Sequence, residues 1–539
     1  MLDLLSLRST IGIVMLLSFV FSANVFYNLF FHPLAKVPGP VLGRMSGIPS
    51  WYYACRGDRH LWLMKQFEIY GNRIRPEPNT VVFRDWEAHV DIYSMKSNVR
   101  RSHFYSALNR DAHQSTTLTT IDVGEHARRR KRLSLCFTER SIRASSSFVI
   151  KHVNRWIQLI TEEIDVGSGW SPSIDFSRSI NGLIFDIMGD LCFGTSFNIK
   201  EPGEDFLKST PHNIASYMKF HYSMCRFPLL KILLWLKPHG LDRVIDFLTP
   251  TAARKYNQFV ADSVTDRISL QAEQAEKAEA EKRQDMFHFL AEARDPGTGA
   301  PAYNEAELRG EANLLIIAAS DTTSISLSGI MFYLTNDPPR CQRLAQEIRT
   351  TFSSADEIVP GPKLMGCTYL RACIDEGMRL CPSGPSELPR EVLPGGLWVK
   401  GEFYPAGTVV GTSPWANSRN RDVYGDPEAF RPERWIPRDD DCSDGAAPEA
   451  LKRAKAGFYP FLSGPGNCIG QNLAMVKMLV TIARMLHQLD VRRAPGSTLG
   501  GGRPGLGWGQ DDPNQFQLED AYLSLRRGPE VQFRKRQVN

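Results

Sequence analysis

Between Ile11 and Phe31 lie 21 residues without a charge. As a helix rising about 1.5 Å per residue they span about 31 Å, enough to cross a hydrocarbon core of about 30 Å. A secretory signal would have a shorter apolar stretch ending in small residues, whereas Tyr27, Leu29, Phe30 and Phe31 run straight into His32 and Pro33. The pattern therefore predicts an uncleaved membrane anchor over 11–31, in preference to a signal peptide or a buried core helix, behind a short lumenal N-terminus at 1–10. Asp3 and Arg8 cancel upstream while Lys36 and Arg44 follow downstream, which places the remainder of the chain on the cytoplasmic side. Pro33, Pro38, Gly39 and Pro40 predict a stiff hinge over 32–49 that keeps the anchor apart from the globule. No later stretch reads as apolar over 18 residues, which excludes a multi-span transporter.

From residue 50 to 539 the apolar positions recur mostly at helical spacing, with short strand signals at Thr80–Phe83, Leu397–Val399 and Thr408–Gly411. The expected fold is mainly α with small β-sheets, in a single large domain without repeats or a domain linker. The Ala/Glu/Lys run from Gln271 to Arg283 reads as a solvated helix. Pro495–Gly509 holds seven glycines and no apolar pattern, the composition of a surface loop.

Charge changes this picture little: 64 Lys and Arg against 59 Asp and Glu give +5 over 539 residues, which implies neither disorder nor a polyanionic partner. Cysteine says more. The ten, at 55, 136, 192, 225, 341, 367, 373, 381, 442 and 468, contain no C-x-x-C pair and no zinc spacing with His. Reduced, buried thiols and a cytosolic setting follow.

The chemistry is concentrated in Phe461-Leu-Ser-Gly464-Pro-Gly466-Asn-Cys468-Ile-Gly470, which opens a helical pattern through Leu473, Val476, Leu479 and Val480. A cysteine at a helix start meets free N–H groups and the positive dipole end, which favour a thiolate, while glycines let backbone approach the sulfur and a flat ligand. This loop resembles the haem-binding loop of the cytochrome P-450 family, with Phe461, Gly464, Cys468 and Gly470 matching and Cys468 standing where the family places the thiolate ligand of iron. Four further segments match in order. Ala318-Ala-Ser-Asp321-Thr322-Thr323, in a helix begun by an Asn304/Glu307 capping box and ended before Pro338, resembles the distal helix. There the resemblance makes Thr322 the hydrogen-bonding partner of dioxygen and Asp321 the proton source, in a groove opened where Ser and Thr hydroxyls break the helical ladder. Glu376-x-x-Arg379 with Arg434 resembles the family's buried structural triad. His126-x-x-x-Arg130 and, after Pro389, Arg390 resemble the donors that hold the two haem propionates. Leu380–Leu388 would line the substrate cavity. Arg128, Arg129, Lys131 and Arg132 would form either a solvated face or a basic docking patch for an acidic electron donor. Nucleic acid is a poor partner for it, because no aromatic residues interleave.

One departure stands out. Two residues before the cysteine, where the family usually has Arg or His, the chain has Gly466. This predicts a haem held less tightly, with Arg390, Arg130 and His126 carrying the propionates, and a gain in retention for Gly466→Arg.

The resemblance implies a haem b monooxygenase that activates dioxygen and inserts one atom into a hydrophobic small molecule by hydroxylation or epoxidation. No G-x-G-x-x-G follows a strand, so electrons come from outside: from an NADPH-dependent flavoprotein reductase, or cytochrome b5, at the endoplasmic reticulum membrane. The opening Tyr27–Pro40 is similar to that of filamentous-fungal enzymes that decorate terpenoids, polyketides and alkaloids. The regions that would choose the substrate, His103–Thr120 and Pro211–Leu236, show no decipherable pattern. A haem-thiolate isomerase, dehydratase or peroxygenase, and a non-catalytic membrane haem-binding protein, remain as rival readings.

Overall fold

A computed structural model describes residues 2–109, 115–204, 206–248, 251–274, 276–278, 281–294, 299–437 and 449–537. The N-terminal helix α1, Leu2–Phe26, continues through a wider helical turn at Tyr27–Phe31, so that the apolar span covers Ile11–Phe31 as predicted. Its last turn is not apart from the globule. The Asn28 amide donates to Met45 O at 3.2 Å, and Arg75 donates to Asn28 O at 2.9 Å. In the segment predicted as a free-standing hinge, Leu34 and Val37 are buried against Val81, Phe83 and Val399. Pro33 and Pro38 stiffen a connection that is itself part of the fold.

Five helices carry the centre of the molecule: α2 (Val123–Leu133), α3 (Phe176–Phe193), α4 (Glu305–Asn336), α5 (Thr368–Leu380) and α6 (Gln471–Gln488). The longest, α4, packs against α3, α5 and α6. It starts at the predicted capping box, with the Glu307 amide donating to Asn304 Oδ1 at 2.9 Å and the Asn304 amide to Glu307 Oε2 at 3.1 Å. It stops at Asn336, where Pro338 cannot supply the next N–H. This helix is also apolar enough to cross a bilayer, contrary to the expectation that no second such stretch exists. However, 72% of its apolar window is buried inside the protein, as befits a core helix.

The largest sheet is formed by β1 (Arg73–Glu77), β2 (Thr80–Phe83), β3 (Val99–Arg101), β4 (Arg390–Val392) and β5 (Val409–Thr412), in the order β1-β2-β5-β4-β3. β2 and β5 are parallel and the other pairs antiparallel, with Arg101 directly opposite Arg390. β5 starts one residue after its predicted position, because Thr408 still belongs to the turn at Gly407, its N–H donating to Pro405 O. Leu397–Val399 forms a hairpin with Glu402–Tyr404 through Lys400 and Gly401, both at positive φ, as a tight two-residue turn requires. The predicted helix over Gln271–Arg283 is corrected: the helix beginning at Thr251 ends at Glu273. Of that run, residues 275, 279 and 280 lie outside the described residues. Two buried ion-pair partners outcompete the local helix propensity, since Arg283 pairs with Asp190 and Asp285 and thereby turns the chain back. The Pro495–Gly509 segment is a loop, as expected.

Candidate active site

The nine described cysteines are free, and seven are buried; Cys442 lies outside the described residues. Cys468 alone among them is exposed, opening into a cavity of about 890 Å³. The sulfur stands three residues ahead of α6, as predicted. The loop that presents it is closed by Cys468 N–H donating to Phe461 O at 2.8 Å and Asn467 N–H donating to Gly464 O at 3.1 Å. Gly464 is obligatory: its φ is +63°, and a Cβ there would lie 1.9 Å from Tyr93 O. Gly470 lies beside the sulfur, its absent Cβ 4.0 Å from Cys468 Sγ, and Phe461 and Gly470 both line the cavity. Desolvation by the protein around the cavity raises the Cys468 thiol above its ordinary value, although the Gly470 amide, Arg130 and Lys477 pull it down. A bound metal would displace the thiol proton and supply the positive charge that the expected thiolate ligand needs.

Behind the loop stands the buried triad. Arg379 donates to both Glu376 oxygens at 2.8 and 2.9 Å, Arg434 adds a bond at 3.1 Å, and Trp435 Nε1 adds one at 3.0 Å. Burial would raise the Glu376 carboxyl, but the two guanidiniums and the Arg431 amide hold it below the ordinary range. Arg379 spends its remaining donors on Ser418 O, Pro427 O and Ala429 O. The Trp435 ring then packs on Phe458, 4.6 Å between centroids, three residues before Phe461. The triad thus sets the entry of the cysteine loop.

Behind the cavity-lining Tyr93, Leu388 and Gly466, guanidiniums gather without a counter-charge. Arg390 is 6% exposed and donates to the Tyr105 hydroxyl at 3.1 Å. His126 is buried, its Nε2 has no hydrogen-bond partner, and burial together with Arg101, Arg130 and Arg390 pushes it down to about 3. Arg130 reaches the cysteine loop, donating to Asn467 O at 2.7 Å and Asn467 Oδ1 at 2.6 Å, so α2 and the loop are stitched together there. Arg101, which sequence reasoning missed, joins them from β3. Its Nε is buried and unpartnered, and burial and Arg390 lower it to about 10. Like charges opposite one another across a sheet are destabilising. Yet Arg101 faces Arg390, and no carboxylate pairs with Arg101, Arg130 or Arg390 among the described residues. Nothing local in the sequence marked Arg101, because only strand pairing across nearly 300 residues brings it to Arg390. Of the predicted basic patch, Arg128 and Lys131 are exposed, whereas Arg129 is drawn inward to Glu125, the Ser115 carbonyl and the vicinity of Glu311.

Opposite the thiol, Ala319, Thr322 and Ser326 of α4 line the cavity. The expected local break in the helix is corrected: Glu305–Asn336 is continuous. The hydroxyls instead bond back one turn, Thr322 Oγ1 to Ala318 O at 2.7 Å and Thr323 Oγ1 to Ala319 O at 3.0 Å, which leaves the ladder continuous. Asp321 does not line the cavity. It is 3% exposed and points to Arg526, with Nη1 and Oδ1 3.6 Å apart. Burial raises its carboxyl, while Arg526 and Asn181 hold it down. Of the predicted substrate regions, residues 110–114 lie outside the described ones. Leu118, Thr119, Ile214, Met218 and Leu388 contribute to the cavity wall.

A thiol facing an apolar cavity, with orphaned Arg and His donors at its edge, fits a flat apolar ligand that carries a metal and two carboxylates. Haem has that chemistry. The family model for Cytochrome P450 matches residues 38–500. Cytochrome P450 monooxygenase AKT7 of Alternaria alternata is 32% identical over 540 residues, covering 99% of each chain. Cytochrome P450 monooxygenase fscF of Fusarium equiseti is 33% identical over 519 residues, covering 95% of this chain and 94% of the relative. For apf7 of Gibberella fujikuroi the figures are 32% over 526 residues and 95% of both. With a family match over most of its length and relatives of this similarity end to end, the chain belongs to the cytochrome P450 family, whose members bind haem through a cysteine thiolate.

Proposed function

We propose that this monooxygenase acts on a hydrophobic small molecule of fungal specialised metabolism, hydroxylating or epoxidising it with Cys468 as the iron ligand. The observation that carries the reading is the pairing of the exposed Cys468 thiol with three guanidiniums, Arg101, Arg130 and Arg390, that no carboxylate pairs with among the described residues. Haem supplies the oxidising chemistry that no side chain possesses. Around it, His126 as a neutral donor and Arg130, Arg390 and Arg101 as cations would take the propionates, which would balance the charge of the three guanidiniums. Thr322 presents a hydroxyl to the cavity opposite the sulfur. Asp321 acts from the far side of α4, where its ion pair with Arg526 holds the segment carrying Thr322. Electrons would come from an NADPH-dependent flavoprotein reductase, with the exposed Arg128 and Lys131 as part of its docking face, at the endoplasmic reticulum membrane. The opening Tyr27–Pro40 and the likeness to monooxygenases of filamentous fungi support the metabolic setting.

The reduced protein under carbon monoxide should show the strongly red-shifted absorption of a thiolate-bound haem, and Cys468→Ala should lose it. A red shift that survives in the variant would overturn Cys468 as ligand. With reductase present, oxygen-18 from dioxygen should enter the product; turnover without reductase or dioxygen would favour an isomerase or dehydratase instead.

A further inference from the structure

Lys477 has no place in the chemistry described so far. It lies on α6, nine residues after the thiol, and its side chain is entirely buried. No carboxylate is paired with it among the described residues. Its ammonium donates to Ala319 O of α4 at 2.7 Å and touches Met188 Sδ of α3 at 3.6 Å, so that three helices meet at this one nitrogen. A buried lysine without an acid is expensive, and an apolar residue of the same length would ordinarily fill the space at less cost. Burial brings it down to about 7, against the upward pull of Cys192 and Cys468. Either protonation state retains N–H donors, so the bond to the carbonyl persists through neutral pH.

The acceptor gives the contact its meaning. The Ala319 carbonyl also receives the Thr323 hydroxyl at 3.0 Å, and the neighbouring Ala318 carbonyl receives the Thr322 hydroxyl at 2.7 Å. Ala318, Ala319, Thr322 and Lys477 all line the cavity that Cys468 opens into. We propose that Lys477 is a positioning residue: it clamps the distal helix to the helix that follows the thiol, through the Ala319 carbonyl, and so fixes where the Thr322 hydroxyl stands over the cavity. The proposal rests on the haem-thiolate reading above and adds to it a residue that touches neither metal nor dioxygen.

The test uses the full-length, haem-loaded protein in detergent with carbon monoxide as the probe. Lys477→Met keeps the length of the side chain and removes the donor; Lys477→Gln keeps an N–H donor on a shorter stem. Amide hydrogen exchange over residues 318–323 should quicken several-fold in Lys477→Met while residues 328–334 of the same helix stay unchanged, with Lys477→Gln between the variant and the parent. The C–O stretching band of the carbon monoxide complex, which senses polar groups beside the ligand, should shift in the same order. Unchanged exchange, a uniform rise along the whole helix, or a Gln variant indistinguishable from Met would each overturn the clamp. The red-shifted absorption of the same complex reports separately on the haem-thiolate assignment. Its absence from the parent protein would condemn that assignment and leave the exchange result to be judged alone.

Discussion

At Gly466 an added Cβ would lie 2.8 Å from Arg390 Nη2. That guanidinium is not free to move aside: it is buried, bonded to the Tyr105 hydroxyl and the Leu388 and Pro389 carbonyls, and sits over the Tyr93 and Tyr105 rings. Arg390 thus fills the space that a side chain at 466 would need. The expectation that Gly466→Arg improves haem retention is therefore reversed. The variant should hold haem no better than the parent and release it faster on dilution, as followed by the ratio of haem to protein absorbance in the retained fraction. A gain in retention would show that Arg390 yields, contrary to its five anchoring contacts. At this scale the sequence told residue type but not partner. Cys468, His126 and Arg390 were legible because their motifs are local. Arg101, Arg526 and Lys477 were not, because each acquires its role only through a residue more than a hundred positions away.

The elements are held at the site by buried ion pairs, and these make stability depend on acid. Glu387 lies between α5 and β4, three residues before Arg390, with its side chain fully buried. Arg59 donates to both its oxygens at 2.5 and 2.8 Å, and Arg226 pairs with it at 2.6 Å. Burial would raise this carboxyl, but the Arg226 and Arg59 guanidiniums hold it down to about 2, from an ordinary value of 4.5. A carboxyl depressed in the folded state stabilises it fully above the unfolded value, and the stabilisation is lost as pH falls through the folded one. Glu387 should therefore withdraw support between about pH 4.5 and pH 2, and Glu376, also held below its ordinary value, should do so as acid protonates it. Glu387→Gln leaves two buried guanidiniums with only the more distant Glu77 carboxylate, at 3.5 Å from Arg59 and 3.8 Å from Arg226, and should cost about 3–5 kcal/mol at pH 7. Its urea midpoint should fall less than that of the parent between pH 5 and pH 3, and parallel acid slopes would refute the assignment. The capping box of α4 and the strand at Thr80–Phe83 could be read beforehand because they are short-range patterns. The end of the Thr251–Glu273 helix could not, because Arg283, beside its neighbour Asp285, is drawn away by Asp190 from a distant part of the chain.

On the scale of the whole molecule, the anchor is continuous with an apolar surface of the globule. Past the anchor, Val41, Leu42, Ile48 and Tyr52 are exposed, and beside them so are Leu229, Ile232 and Trp235. The two sets are joined where Gly47 approaches Pro228 and where the Trp51 and Phe227 rings meet at 5.6 Å between centroids. Large exposed apolar patches mark a surface that something covers. The candidate anchor helix, whose last turn is tied to Met45 and Arg75, would bring this patch to a bilayer, so lipid is the occupant we propose for it. Trp235, 62% exposed, is of the residue type that settles at the boundary between headgroups and acyl chains. The anchor contains no tryptophan, so quenching of tryptophan emission by brominated lipids reports on the globule alone. In vesicles holding the full chain, emission should be quenched when bromine lies shallow in the acyl region, and Trp235→Phe should remove a large part of that quenching. Were the quenching undiminished in the variant, the patch would lie clear of the membrane, with the anchor as the sole attachment.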